Sequence, residues 1–433
     1  MKNSARAAAA SLIADALAGH SLREIFDGQL RRLPEQQRPL CRELVYGTLR
    51  EWPRIDGLLT ELLSKPLRAK DRDVLALLGI GIYQLEHMRL PSHAAVSETV
   101  NAVQHLGKGW AKGLTNGVLR NYQRRSSELD NMLTPAAQAA LPEWLYQSIG
   151  REWPDALDII SSAARTQPPM HLRINRLRAT RDDVLEALQA AGCDGRPHER
   201  VDSAIILNSG VDVAQLPGFE SGEVSVQDAS AQLAGHLLRP APGEQILDVC
   251  AAPGGKTCHI AEQQPALEQL TAADISADRL QRVQENRDRL GLDFELMVCD
   301  ARHPGEALEA EYFDALLVDA PCSASGVLRR NPDIKVIRQP GDIARFAQLQ
   351  REILKGVWPL LKPGGRLLYA TCSILSAEND AVMVWATEHL PGAASGALSH
   401  PQAVPTEYGI QCLPSLEGGD GLYYALLEKH ADA

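Results

Sequence analysis

No apolar run in the 433-residue chain approaches the roughly 20 residues that a membrane-spanning helix needs, which excludes that class. The Ala-rich start carries Lys2 and Arg6, but Asp15 interrupts it and no separate small-residue cleavage site follows, so it reads as an amphipathic helix rather than a signal peptide. Eight cysteines are too sparse for a disulfide scaffold, and the chain has no CxxC pair or Cys/His cluster of zinc spacing. A reducing, cytoplasmic compartment and no metal are therefore expected. Internal repeats and low-complexity linkers are also missing. What is present, 45% hydrophobic and 23% charged residues, is the balance of an ordinary globular chain long enough for two or three domains. A monomer is the expected state.

The net charge of −11 argues at first against a polyanionic partner, but it is unevenly spread. Residues 1–130 hold 19 Lys and Arg against 14 Asp and Glu, a net of +5, and the rest of the chain carries −16. A basic module on an acidic body can bring in nucleic acid. Its candidate phosphate contacts are Arg23, Arg31, Arg32, Arg38, Arg42, Lys108, Lys112, Arg120, Arg124 and Arg125.

Residues 5 to about 125 read as helices. Leu12, Ile13, Ala16 and Leu17 make one apolar face, Leu40, Leu44, Val45 and Leu49 another, and Pro34, Pro53, Pro66 and Pro91 break the run. The expected domains are a helical one over 1–140, a small α/β connector over 141–225 and an α/β domain over 226–433. The connector rests on strand-like Met170–Asn175 and Ala204–Leu207 around a helical Arg181–Ala191. In the third domain apolar strands are expected at Gln245–Cys250, Leu270–Ile275, Glu295–Cys299, Phe313–Val318 and Arg366–Ala370, with helices between them, notably Asp278–Leu290 and Ile343–Leu361. That alternation implies a largely parallel sheet, whose ligands bind beyond the carboxyl ends of the strands.

The first of these strands runs into Cys250-Ala251-Ala252-Pro253-Gly254-Gly255-Lys256-Thr257. A phosphate-binding GxxxxGK[ST] loop needs glycine where Cys250 stands, so that reading fails. A small-residue turn opening a helix remains, and it lets a ligand approach the backbone. Asp248, Asp274, Asp300 and Asp319 fall at four strand ends. Repeated acids disfavour a phosphate-rich cofactor and suit one with hydroxyl and cationic groups, such as S-adenosylmethionine. The strand that ends at Asp319 runs on into Pro321-Cys322-Ser323, and a fifth strand ends at Thr371-Cys372-Ser373. Cys250, Cys299 and Cys412 read as inert small hydrophobes, but a pair of cysteines on the ligand side suits attack on C6 of a pyrimidine, which makes C5 nucleophilic towards a methyl donor, followed by removal of the C5 proton.

Asp-Ala-Pro-Cys-Ser-Ala-Ser-Gly (319–326), Ala-Thr-Cys-Ser (370–373) and Cys-Ala-Ala-Pro-Gly-Gly-Lys-Thr (250–257) together resemble the RNA cytosine-C5 methyltransferases of the NOL1/NOP2/Sun family. The helical N-terminus resembles the NusB-like RNA-binding domain, a fusion similar to the Sun/Fmu branch that acts on bacterial 16S ribosomal RNA. The resemblance implies a Rossmann-like class I methyltransferase domain, S-adenosyl-L-methionine as cofactor and 16S ribosomal RNA as partner. It implies Cys372 as nucleophile, Cys322 as the group assisting C5 deprotonation and release, and Asp319 on the N3 edge of the base. Cofactor contacts carry over to Cys250, Ala251, Ala252, Pro253, Gly254, Gly255, Lys256, Asp274, Asp300 and Asp319, with Arg279 assisting nearby. Arg329-Arg330-Asn331-Pro332-Asp333-Ile334-Lys335, after the cysteine loop, is expected to meet RNA phosphates. Two other classes stay open: a non-catalytic RNA-binding ribosome-assembly factor with a methyltransferase-like body, and a redox protein that joins Cys322 to Cys372. The first leaves two cysteines without a task, the second leaves the acids and the cofactor turn unexplained.

Overall fold

The computed structural model of the protein describes residues 4–305 and 308–431. It divides into two compact units, one running through Gln167 and also including Leu328–Pro340, the other taking Pro168–Val327 and the chain from Gly341 onward.

The first unit is helical. Its longer helices are Ala5–Leu17, Leu22–Leu30, Arg38–Arg50, Trp52–Leu62, Arg72–His87, Ser92–His105 and Lys112–Asp130. Small residues on the first helix, Ala9, Ala10 and Ala16, are fully buried beside Leu12 and Ile13, so it packs closely against Arg72–His87 and Arg38–Arg50. Leu44, Val45 and Leu49 fill the same core, and Leu17 and Leu40 sit at its margin. Pro53 stands in the first turn of its helix and Pro91 caps the next but one, positions that need no backbone donor.

The segment 328–340 is built into this helical unit, and burial takes Arg329, Asp333 and Lys335 out of the phosphate contacts expected over Arg329–Lys335. The Lys335 side chain is only 4% exposed, and Arg329 and Asp333 are buried as well. Lys335 Nζ donates to the carbonyl oxygens of Arg50 at 2.6 Å, Ala140 at 3.0 Å and Ala164 at 3.0 Å. Asp333 Oδ2 accepts from the backbone N–H of Leu22 at 3.0 Å, at the start of the Leu22–Leu30 helix. The physical reason is complementarity to helix ends: the cation meets orphan carbonyls and the carboxylate meets an orphan N–H.

The second unit begins with a four-stranded antiparallel sheet of β1 (Met170–Ile174), β2 (Gly195–Pro197), β3 (Ala204–Leu207) and β4 (Val224–Val226), in the order β2-β3-β1-β4. Leu172, Ile205 and Val224 pack on Val184 and Leu188 of the helix Arg181–Ala190, whose start is closed by a capping box between Thr180 and Asp183.

The large sheet contains β5 (Gln245–Val249), β6 (Gln269–Asp274), β7 (Glu295–Val298), β8 (Phe313–Asp319), β9 (Leu361–Thr371), β10 (Ala393–Gly396), β11 (Val404–Pro405), β12 (Ile410–Cys412) and β13 (Leu422–Lys429). Its order is β11-β12-β13-β9-β8-β5-β6-β7, with β10 paired to β13. Strands β5 to β9 run parallel, and β13 runs antiparallel to β9. Leu367, Leu368, Tyr369 and Ala370 of β9 are all fully buried, as expected for a strand covered on both faces. The order reverses between β5 and β8, and ligands of such sheets bind beyond the carboxyl ends of the strands at that point.

Candidate functional site

Three loops reach that end of the sheet: 250–254 after β5, 320–327 after β8 and 372–376 after β9. Cys250 turns the first with φ of +62°, a left-handed conformation unusual for a side-chain-bearing residue and common at functional turns. Gly254, at φ +93°, could carry no side chain, because a Cβ there would lie 2.8 Å from Val283 Cγ1. Gly255 then opens the helix Gly255–Gln263.

Asp274, buried at the end of β6, holds this turn. Its Oδ2 accepts from Ala252 N–H at 3.2 Å and its Oδ1 from Ser276 N–H at 3.1 Å. Arg279 lies with Nη1 3.3 Å from Asp274 Oδ1 and donates through Nη2 to Ala252 O at 3.1 Å. Lys256 Nζ is 2.6 Å from Asp319 Oδ2. Burial works against the Lys256 ammonium, but Asp319 and then the nearby Cys372 and Asp248 outweigh it and hold it above its ordinary range. Asp300 is met by Arg302 Nε at 3.0 Å and Nη2 at 2.7 Å, and that hydrogen bonding lowers its carboxyl. Asp248 differs from the other three. It stands one residue inside β5, fully buried and bonded to the Thr257 hydroxyl, and burial pushes its carboxyl up to about 7.

The two cysteines meet. Cys322 Sγ and Cys372 Sγ are 3.3 Å apart, both free thiols, Cys322 buried and Cys372 partly open. The loops are stitched by Ala320 N–H to Ala370 O at 2.9 Å and Gly326 N–H to Cys372 O at 2.9 Å. Gly326 also lies against Gly421, whose carbonyl oxygen would be 2.1 Å from any Cβ at 326. The hydrogen bond to Cys372, then burial, hold the Cys322 thiol well above its ordinary range. Cys250 and Cys412 are pushed up to about 12 by burial, as inert core thiols are.

The sequence reading missed Glu378 and Asn379. Glu378, fully buried, accepts from Ser323 N–H at 2.7 Å, Ser323 Oγ at 2.5 Å and Ser373 Oγ at 2.7 Å. Asn379 accepts from Thr371 Oγ1 at 2.6 Å and donates to Ser373 O at 3.0 Å. The available signal was an acid and an amide six and seven residues beyond Cys372. In the helical unit, Lys108 is bound to Asp71 at 2.8 Å, Arg125 pairs with Glu128 and Arg42 covers the Phe26 ring. Among the described residues no cluster of His, Cys, Asp and Glu could hold a metal, and no helix is long and apolar enough to cross a membrane.

Parallel strands, a reversal of strand order and a glycine-rich turn beside a strand-end acid define a Rossmann-like methyltransferase domain, here joined to a helical NusB-type domain and a ferredoxin-like connector. A model described as 16S rRNA methyltransferase RsmB/F matches residues 235–428, the NusB family model matches 3–124, and a ferredoxin-like domain of RsmF/B-like methyltransferases matches 141–214. Ribosomal RNA small subunit methyltransferase B of Pseudomonas putida is 45% identical over 429 residues, covering 98% of both chains. The protein of that name from Vibrio cholerae is 44% identical over 427 residues, covering 98% of this chain and 97% of its own. The chain belongs to this ribosomal RNA small subunit methyltransferase B family. Two solved structures share the fold: PH0851, with a TM-score of 0.82, 24% identity and coverage of 98% of this chain and 99% of that one, and NSun6 from Pyrococcus horikoshii with SFG, with a TM-score of 0.61, 20% identity and coverage of 67% and 99%.

Proposed function

We propose that the protein transfers a methyl group from S-adenosyl-L-methionine to C5 of a cytosine in 16S ribosomal RNA through a covalent adduct, in the cytoplasm. The observation that carries the reading is the pair of free thiols 3.3 Å apart at the ends of two adjacent parallel strands, beside the Lys256–Asp319 ion pair. The donor set suits the cofactor: Asp274 and Asp300 offer carboxylates to hydroxyl and amine groups, and the turn 250–256 offers small residues that let a ligand reach the backbone. When bound, S-adenosylmethionine supplies an electrophilic methyl group.

The chain's own residues do the rest. Cys372 Sγ adds to C6 of a base turned out of the stack, and the electrons of the C5–C6 double bond move to C5. The Cys372 proton moves to N3 as the C6–S bond forms, with Asp319 accepting a hydrogen bond from the protonated N3 edge, and N3 loses that proton to solvent when the methylated base is released. Lys256, held by Asp319, keeps a positive charge within electrostatic range of Cys372. For release, the C5–H bond must break while the C6–S bond opens. The sulfur–sulfur hydrogen bond lets Cys322 give its proton to the departing Cys372 sulfur and take the C5 proton in its place, so protons and charge balance. Incubation of the full-length protein with unmodified 16S ribosomal RNA and methyl-labelled cofactor, followed by bisulfite sequencing, should reveal a 5-methylcytosine. Binding of RNA with no label incorporated would favour the non-catalytic assembly factor instead.

A further inference from the structure

Both cysteines are followed by serine, and one buried carboxylate binds both serines. Glu378 Oε2 accepts from Ser323 Oγ at 2.5 Å and from Ser373 Oγ at 2.7 Å, while Oε1 accepts from Ser323 N–H at 2.7 Å. Ser325 Oγ lies 3.0 Å from Ser373 Oγ and accepts from Ile374 N–H at 3.0 Å, so the two loops share one hydrogen-bond network. Gln350 reaches across to Pro321 O at 2.9 Å, just before Cys322. The carboxylate is itself fixed from behind, because the Tyr369 hydroxyl donates to Glu378 O at 2.8 Å and Asn379 grips Thr371 and Ser373. The residues these contacts hold, Pro321 and Ser323 beside Cys322 and Thr371 and Ser373 beside Cys372, directly flank the two cysteines.

We infer that Glu378 is a positioning residue that sets the distance between the Cys322 and Cys372 sulfurs by clamping Ser323 and Ser373 together. Each cysteine sits on a separate loop; Gly326 N–H to Cys372 O joins the two loops through the backbone, and Glu378 adds the tie between the serines that directly follow the two cysteines. The serines explain themselves as the hooks of this clamp rather than as reacting groups. A glutamine keeps the clamp, because both serine hydroxyls can turn to accept from its amide. An alanine removes it. This inference deepens the proposed function and rests on its assignment of the two thiols.

The test reads the sulfur spacing directly as well as the reaction. In the full-length protein, diamide takes two electrons and two protons from neighbouring thiols and leaves a disulfide, so the rate of Cys322–Cys372 closure, followed by peptide mapping, reports their proximity without RNA or cofactor. Glu378→Ala should close at least about tenfold more slowly and lose about 100-fold in single-turnover methyl transfer, the scale of an ångström-sized misplacement, while its RNA affinity stays within about twofold. Glu378→Gln should recover most of both rates, which a merely stabilising carboxylate would not separate. Where Glu378→Ala fails to fold, the double variant Ser323→Ala with Ser373→Ala takes its place and should behave like it. Closure at the wild-type rate in these variants overturns the inference, whatever happens to methylation. Slowed closure in a protein whose wild type methylates nothing would keep the clamp and discard the proposed reaction.

Discussion

Replacing Lys335 by Met keeps the aliphatic volume of the side chain and deletes its donor from a closed site. Three carbonyls, at Arg50, Ala140 and Ala164, then face the interior of the helical unit without that partner. A buried polar group left unpaired costs about 1–3 kcal/mol, so a loss of at least about 3 kcal/mol is expected. Partial relief comes from burial, which pushes the Lys335 ammonium down to about 7. The sign follows from linkage: an unfolded lysine binds its proton up to its ordinary value of 10.5, the folded one only to about 7, so the unfolded state holds more protons between those limits. Stability of the unit should therefore rise as pH climbs from about 7 towards 10 in the wild type, and Lys335→Met should lack this rise. Because the chain forms two units, a single melting temperature is the wrong observable. Hydrogen exchange at the helices Arg38–Arg50 and Leu157–Ala163 is the right one, where 3 kcal/mol corresponds to a fall of about 100-fold in protection. Unchanged protection at pH 9 in Lys335→Met would refute the reasoning.

Further outcomes follow from the same contacts. Cys372→Ala should abolish both methylation and any denaturant-resistant protein–RNA band, whereas Cys322→Ala should accumulate that band with cofactor present; the reverse pattern would make Cys322 the nucleophile. Asp274→Ala should weaken S-adenosylmethionine binding by about 1–3 kcal/mol by calorimetry, since it also frees the turn at Ala252; unaltered affinity would remove Asp274 from the site. Arg173 makes a bidentate pair with Glu262 at 2.9 and 2.6 Å and donates to Gly255 O at 2.6 Å, so Arg173→Met leaves a buried charge unpaired and should cost about 3–5 kcal/mol in urea unfolding of the second unit. The full chain should bind 16S ribosomal RNA with steeply salt-dependent affinity, and an affinity flat in salt would deny a phosphate-based contact.

Much of this architecture was legible because it is written locally. Apolar runs ending in acids or in Pro-Cys and Thr-Cys gave strand positions within a residue or two for β5, β6, β7 and β8, and the breaks read at Pro53 and Pro91 fall at helix starts. The missing parts depend on partners distant in sequence. Lys335 looks like surface charge until the ends of three helical segments at residues 50, 140 and 164 converge on it. Asp248 looks like its neighbours at strand ends, and only its register, one residue before the end of β5, puts it in the core rather than the crevice. β9 starts at Leu361 rather than Arg366 because its pairing with β8 resumes across a register shift between Phe313 and Ala315, and no side-chain alternation announces such a shift. Glu378 was invisible for the same reason, since its partner Ser323 lies 55 residues away.

The discontinuous make-up of the helical unit has a consequence for how it must be handled and how it forms. Residues 4–167 supply nearly all of its core, but its closing charges, Asp333 at one helix start and Lys335 among three carbonyls, arrive only with residues 328–340. During synthesis the helices can collapse early, since their contacts are local, but their buried carbonyls wait for about 170 further residues, roughly ten to thirty seconds at ordinary elongation rates. A fragment ending at Gln167 is therefore not a fair stand-in for the unit. It should expand and exchange faster at the helix Arg38–Arg50 than the same helix in the full chain, and a peptide of residues 328–340 added in trans should restore that protection. Equal exchange in fragment and full chain would mean that the inserted segment fills a site the helices can leave empty at no cost, against the three hydrogen bonds that Lys335 makes there.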